Sequence, residues 1–132
     1  MNQENKKEIT SADLAQFTGD LERFRSINRH VIYTPGVQYL AEKAGAYWLI
    51  DAIASYFMGG KMSYPDPRLE TLQFWRLEVK EDSSAMLTAR ADSGVEPYVK
   101  QEIEYTDFPL DEIDIWAGFD GMTWTLYLPS EH

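Results

Sequence analysis

The chain has 132 residues, no cysteine and a formal net charge of -10. That length suits one domain with a sizeable core, and the missing cysteines exclude disulfides, thiolate metal sites and a cysteine nucleophile. Residues 1–66 hold 8 acidic and 7 basic side chains, whereas residues 67–132 hold 14 and 5. The second half therefore carries a field that repels nucleic acid and lipid headgroups and attracts basic protein surfaces.

Residues 1–10 are polar with little to bury, so a flexible N-terminus is expected, followed by a single α+β domain over 11–132. No signal-peptide run or stretch of transmembrane length is present, which fits a cytoplasmic protein. Thr10 or Ser11 suits a helix cap, and Leu14, Phe17, Leu21 and Phe24 recur at helical spacing. These predict an amphipathic helix over about 11–25, interrupted at Thr18, Gly19 and Asp20, with Asp20 suited to cap a second piece. Arg23, Arg25 and Arg29 form the one basic cluster, and His30 to Tyr33 reads as a short extended connector.

The organising stretch is residues 34–57. Thr34 is a capping residue and Pro35 fits the first helical position, where its missing N–H is no loss. Val37, Leu40, Ala41 and Ala44 share one face. From Ala46 to Ala54 the chain is apolar all round except for Asp51, so this segment must be covered nearly all round. The block is about half of the roughly 20 residues a membrane span needs, so it reads as a buried helix. Gly45 is either a tolerated mid-helix glycine or a break, and Gly59 and Gly60 end the element.

Beyond a proline-containing loop at 61–70 the period changes from 3.6 to 2. Five strands are predicted at 73–80, 85–91, 98–105, 112–117 and 122–128. Short connections, including the Asp120-Gly121 hairpin signal, argue for an antiparallel meander. The expected architecture is two-layer α+β: N-terminal helices packed on a C-terminal five-stranded antiparallel meander sheet. On its outer face lie Glu102, Glu104, Glu112 and Asp114, with Asp107 and Asp111 at the adjoining turn. Trp116 and Tyr127 on that face favour a binding surface or a homodimer interface.

Asp51 among Trp48, Ile50 and Ile53 is the carboxylate best placed for chemistry, or for a structural pairing with Arg25, Arg29 or a tyrosine hydroxyl. His30, Asp51 and Ser55 supply the residue types of a nucleophilic triad without a nucleophile elbow or oxyanion loop. Two histidines are too few for a transition-metal site, the acidic turn does not follow the calcium-loop spacing, and no phosphate-binding glycine loop occurs, so no metal or cofactor is expected. The leading expectation is a non-enzymatic interaction protein whose acidic sheet face docks onto a basic surface of a host protein. The alternative is a small-molecule pocket between helices and sheet, lined by Tyr47, Trp48, Asp51 and Trp75.

The runs LAQFTG (14–19), GVQYLAEKAGAYWLIDAIAS (36–55), FWRLEV (74–79), QEIEYTDFPLDEI (101–113) and LPSEH (128–132) resemble an uncharacterised bacterial family, a domain of unknown function also found on phage and other mobile elements. The resemblance covers most of the chain from Leu14 onward. It implies a small accessory protein serving a phage or plasmid, for instance as an inhibitor of a nucleic-acid-binding host protein, and supplies no activity or catalytic residue. At residues 20–30, where relatives are expected to carry a Tyr- and His-bearing segment, this chain has DLERFRSINRH.

Overall fold

Alternating apolar and polar residues after Thr71 build a sheet, and the apolar helical segment before it supplies the cover. The computed structural model describes residues 9–17, 22–57 and 64–132. The expectations placed on the N-terminal eight residues, on Thr18 to Leu21 and on Gly59 and Gly60 lie outside that set.

Among the described residues seven strands form one sheet: β1 (Phe24–Arg25), β2 (Val31–Tyr33), β3 (Leu72–Val79), β4 (Ala85–Arg90), β5 (Val99–Ile103), β6 (Glu112–Phe119) and β7 (Trp124–Tyr127). Their spatial order is β1-β2-β7-β6-β3-β4-β5, with every neighbouring pair antiparallel except β2 and β7. This corrects the five-stranded meander. The five expected strands all form, but β6 returns across the sheet to lie beside β3, so β3 to β6 make a Greek key of order β6-β3-β4-β5.

Two further strands come from segments read otherwise. The supposed connector at 30–33 is β2, pairing Val31 with Trp124 and Tyr33 with Leu126 in parallel. Among the described residues of the supposed helix over 11–25, only Ser11–Ala15 are helical, as α1, and Phe24 belongs to β1, where its ring stacks on Tyr33 at 5.7 Å. Long-range pairing outweighs the local helical spacing there. Asn28 fixes the β1–β2 turn against the helical layer, its Nδ2 donating to the Ala54 and Phe57 carbonyls at 2.9 and 3.2 Å.

The central stretch forms α2 (Pro35–Ala44) and α3 (Tyr47–Ala54), followed by a 3₁₀ turn, Ser55–Phe57. Gly45 is a break: it closes α2 in the left-handed region at φ 63°, where a side chain would be strained. Among the described residues no helix is long and apolar enough to cross a membrane. Val37, Leu40, Leu49, Ile50 and Ile53 from the helices meet Trp75, Leu77, Leu87, Ile115 and Leu126 from the sheet in one buried core.

Alternation along the strands expected at 98–105 and 122–128 turns Tyr105 and Met122 inward, and at these two strand ends the structure differs. Tyr105 is 71% exposed because β5 stops at Ile103, and Met122 is 82% exposed because it precedes β7 in the turn at 120–123. That turn is not type I′. Only Gly121 has positive φ, and the Asp120 carboxylate instead accepts the N–H groups of Met122 and Thr123 at 2.8 and 2.9 Å.

The last five residues close the fold over the start of α2. Glu131 Oε2 accepts the Gly36 N–H at 3.1 Å, and Oε1 accepts the Thr34 hydroxyl at 2.6 Å and the Leu128 N–H at 2.9 Å. A carboxylate at a helix N-terminus satisfies orphan donors and opposes the positive end of the helix dipole.

Candidate functional site on the outer sheet face

Strand register sorts the outward side chains into three rows. Directly paired positions place Arg90, Phe74, Trp116 and Tyr127 side by side on β4, β3, β6 and β7. The next row holds Lys100, Thr88, Arg76 and Asp114, and the third holds Glu102, Met86, Glu78 and Glu112. The face thus grades from aromatic, through mixed charge, to acidic.

In the aromatic row, Trp116 meets Phe74 edge-on at 5.0 Å and 87°, and Tyr127 at 6.2 Å and 79°. His132 adds a third perpendicular contact to Trp116 at 5.3 Å, stacks on Tyr127 and lies 3.0 Å from its hydroxyl through Nδ1. Burial pushes the Tyr127 hydroxyl above its ordinary pKa.

Arg76 organises the middle row. Its Nη2 lies 2.6 Å from Glu112, whereas Nη1 is 3.7 Å from Asp114 and Nε is 3.6 Å from Glu78. The last two separations are too long for hydrogen bonds, and the Nε atom is buried without a partner. One guanidinium therefore serves three carboxylates. Its hydrogen bond to Glu112 holds Arg76 above its ordinary pKa. Burial raises the Asp114 pKa, Arg76 lowers it, and the neighbouring Glu112 and Glu78 raise it further; the balance is upward.

A raised carboxyl pKa means the folded protein holds that proton more firmly than the unfolded chain does. Asp114 therefore favours folding below the unfolded value of about 3.9 and loses that contribution as pH climbs through the folded value. Asp114→Asn keeps the uncharged shape at every pH. In thermal unfolding it is expected to match or exceed the wild type at pH 7 by up to about 1 kcal/mol, half-exposure having screened the penalty, with the difference gone near pH 3.

The six acidic residues expected on a docking face divide between these rows and their border. Glu102 and Glu112 stand in the acidic row and Asp114 one row in, engaged with Arg76. Glu104, Asp107 and Asp111 are exposed along the β5–β6 connection, which is tied to the same sheet end by Thr106 N–H to Ser83 O (2.8 Å) and Val79 N–H to Asp111 O (2.7 Å). Glu78 and the neutralising Arg76 were the members not named from sequence. Alternation against the buried Trp75 and Leu77 turns both outward, but only register reveals that they meet Glu112 and Asp114.

Of the four residues of the alternative pocket, Tyr47 and Asp51 stand one turn apart on α3 and both interact with Tyr33, whereas Trp75 is packed into the core. Trp75 is 1% exposed, packed against Tyr56 and Phe57 at 5.4 and 6.2 Å, with its indole N–H donated to Gln73 Oε1 at 3.1 Å. Tyr47 is 42% exposed and bonds Glu42, while Trp48 lies in a shallow cleft with Ile103, Tyr105 and Thr106. Asp51 is half-buried on α3, near enough to Tyr33 to add to the burial that raises the pKa of that hydroxyl. Among the described residues no group of three or more His, Asp or Glu side chains is placed to hold a metal ion.

The family of unknown function DUF6876 matches residues 8–132. The chain belongs to that family. No curated protein and no solved structure matches it. The DUF6876 match takes in both partners of the closing contact, the capped start of α2 and the C-terminal LPSEH run, together with all seven strands.

Proposed function

We propose that this chain is a non-enzymatic interaction protein whose acidic sheet end docks onto a basic surface of a host protein. The supporting observation is the gathering of Glu78, Glu102, Glu112, Glu104, Asp107 and Asp111 at one end of a sheet face whose far row, beyond the one held by Arg76, is aromatic. Carboxylates supply long-range attraction and orientation, and half-buried rings supply the apolar contact that holds a complex together. A host protein that binds nucleic acid offers such a basic surface, with these carboxylates standing where phosphates would. The chain would then act as an inhibitor, the role fitting a phage- or plasmid-borne protein.

Glu102, Glu104 and Asp111 are exposed, so reversing them tests the docking without disturbing Arg76. Host proteins captured on the immobilised wild type are expected to elute as salt rises to about 0.5 M, where screening shortens the reach of exposed charges to a few ångströms. The Glu102→Lys, Glu104→Lys, Asp111→Lys variant is expected to lose them. Undiminished capture of every such protein by the reversed variant would sink the proposal.

A further inference from the structure

Phe74, Arg76, Asp114 and Trp116, with the β4–β5 loop at 92–97, enclose a cleft of about 710 Å³ on the outer face. Its two cations are engaged within the protein. Arg90 donates from Nε to the Val95 carbonyl at 3.0 Å and from Nη1 to the Thr88 hydroxyl at 3.1 Å, which braces the loop against the sheet. Arg76 is shared among Glu78, Glu112 and Asp114. An anion entering here would meet the carboxylates of Glu78, Asp92, Glu96 and Asp114 with both arginines already occupied. A cation meets the reverse. Two of the three carboxylates around Arg76 lie beyond hydrogen-bonding distance of it, and the adjoining wall is an indole fixed by three perpendicular ring contacts. A tryptophan face is the strongest side-chain partner for a cation, and a planar guanidinium both stacks on it and forks onto a carboxylate, which an ammonium does not.

We propose that this cleft receives an arginine side chain of the basic partner, stacked on Trp116 and hydrogen-bonded to Asp114. The proposal rests on the docking function above and narrows its partner to one presenting arginine. Calorimetric titration of the full chain with a capped hexa-arginine peptide, and with hexa-lysine as the charge-matched control, tests it. Hexa-arginine is expected to bind several-fold more tightly than hexa-lysine. Trp116→Leu is expected to weaken hexa-arginine binding about tenfold, with Trp116→Phe intermediate. Asp114→Asn should weaken it several-fold while leaving the protein at least as stable, a combination that a merely structural Asp114 would not produce. The Glu102→Lys, Glu104→Lys, Asp111→Lys variant should weaken both peptides and preserve their ratio.

Equal affinity for the two peptides, or Trp116→Phe and Asp114→Asn that bind hexa-arginine like the wild type, would overturn the cleft while a loss in the triple variant left the docking function standing. Full binding by the triple variant with loss in Trp116→Phe and Asp114→Asn would uphold the cleft against the acidic end. A wild type that binds neither peptide overturns the cleft.

Discussion

Glu131→Ala is expected to lower stability by about 3 kcal/mol, seen as a fall of roughly 10 °C in melting temperature. The carboxylate accepts three hydrogen bonds, from Gly36, Thr34 and Leu128, and Thr34 itself is buried. Removing the acceptor strands all three donors at once, and hydrogen bonds to a charged group count for more than neutral ones. Gly36 gives an independent check whose sign separates this contact from ordinary helix behaviour. Alanine for glycine near the start of a helix normally stabilises by about 0.5–1 kcal/mol. At Gly36 a Cβ would sit 2.7 Å from Glu131 Oε1 and 2.8 Å from Leu128 Cδ1, so Gly36→Ala is expected to destabilise. Because both substitutions break one contact, the double variant should lose less than the two separate losses together. Additive losses in urea unfolding would show that Gly36 and Glu131 act independently.

That contact also marks where sequence stops being legible. Thr34 and Pro35 announce the start of α2 through local chemistry, and the structure agrees. Glu131 completes the same cap from 97 residues away, which no spacing rule reaches. The strands follow the same division. β3 to β7 could be read because each is long enough for alternation to show which side is buried. β1 and β2 hold two and three residues, too few for a period, and exist only because β7 offers a parallel edge.

Strand order was hidden for a different reason. Turns at 81–84 and 91–98 imply that their flanking strands are neighbours, and they are. The eight residues at 104–111 look like another turn, yet they cross three strand spacings, about 14 Å, well within the reach of an extended chain of that length. With β6 carried back beside β3, Trp116 lands next to Phe74 and Asp114 next to Arg76. Alternation alone turns Asp114 and Trp116 outward, but the aromatic row and the overloaded arginine depend on the crossover.

Trp75→Ala is the second large effect expected, a loss of about 4 kcal/mol, read as a lower urea midpoint with unchanged slope. As a neighbour of Asp51 in a ligand pocket, Trp75 would border empty space and its truncation would be mild. Instead it is enclosed by Tyr56 and Phe57 and tied through its N–H to Gln73, a fully buried amide whose Nε2 donates to the Leu69 carbonyl at 3.0 Å. The alanine variant opens a cavity and also leaves the Gln73 oxygen without its donor. Trp75→Phe separates the two terms, because it keeps most of the ring volume while losing the N–H, and should cost about 1–3 kcal/mol. Since a domain of this size is stable by only about 5–15 kcal/mol, Trp75→Ala should remove a large share of that margin and leave the outer-face row, on the opposite side of the same strand, without a firm base. A Trp75→Ala protein as stable as the wild type would mean that the space between helices and sheet is not filled by this ring, and the small-molecule pocket would regain its footing.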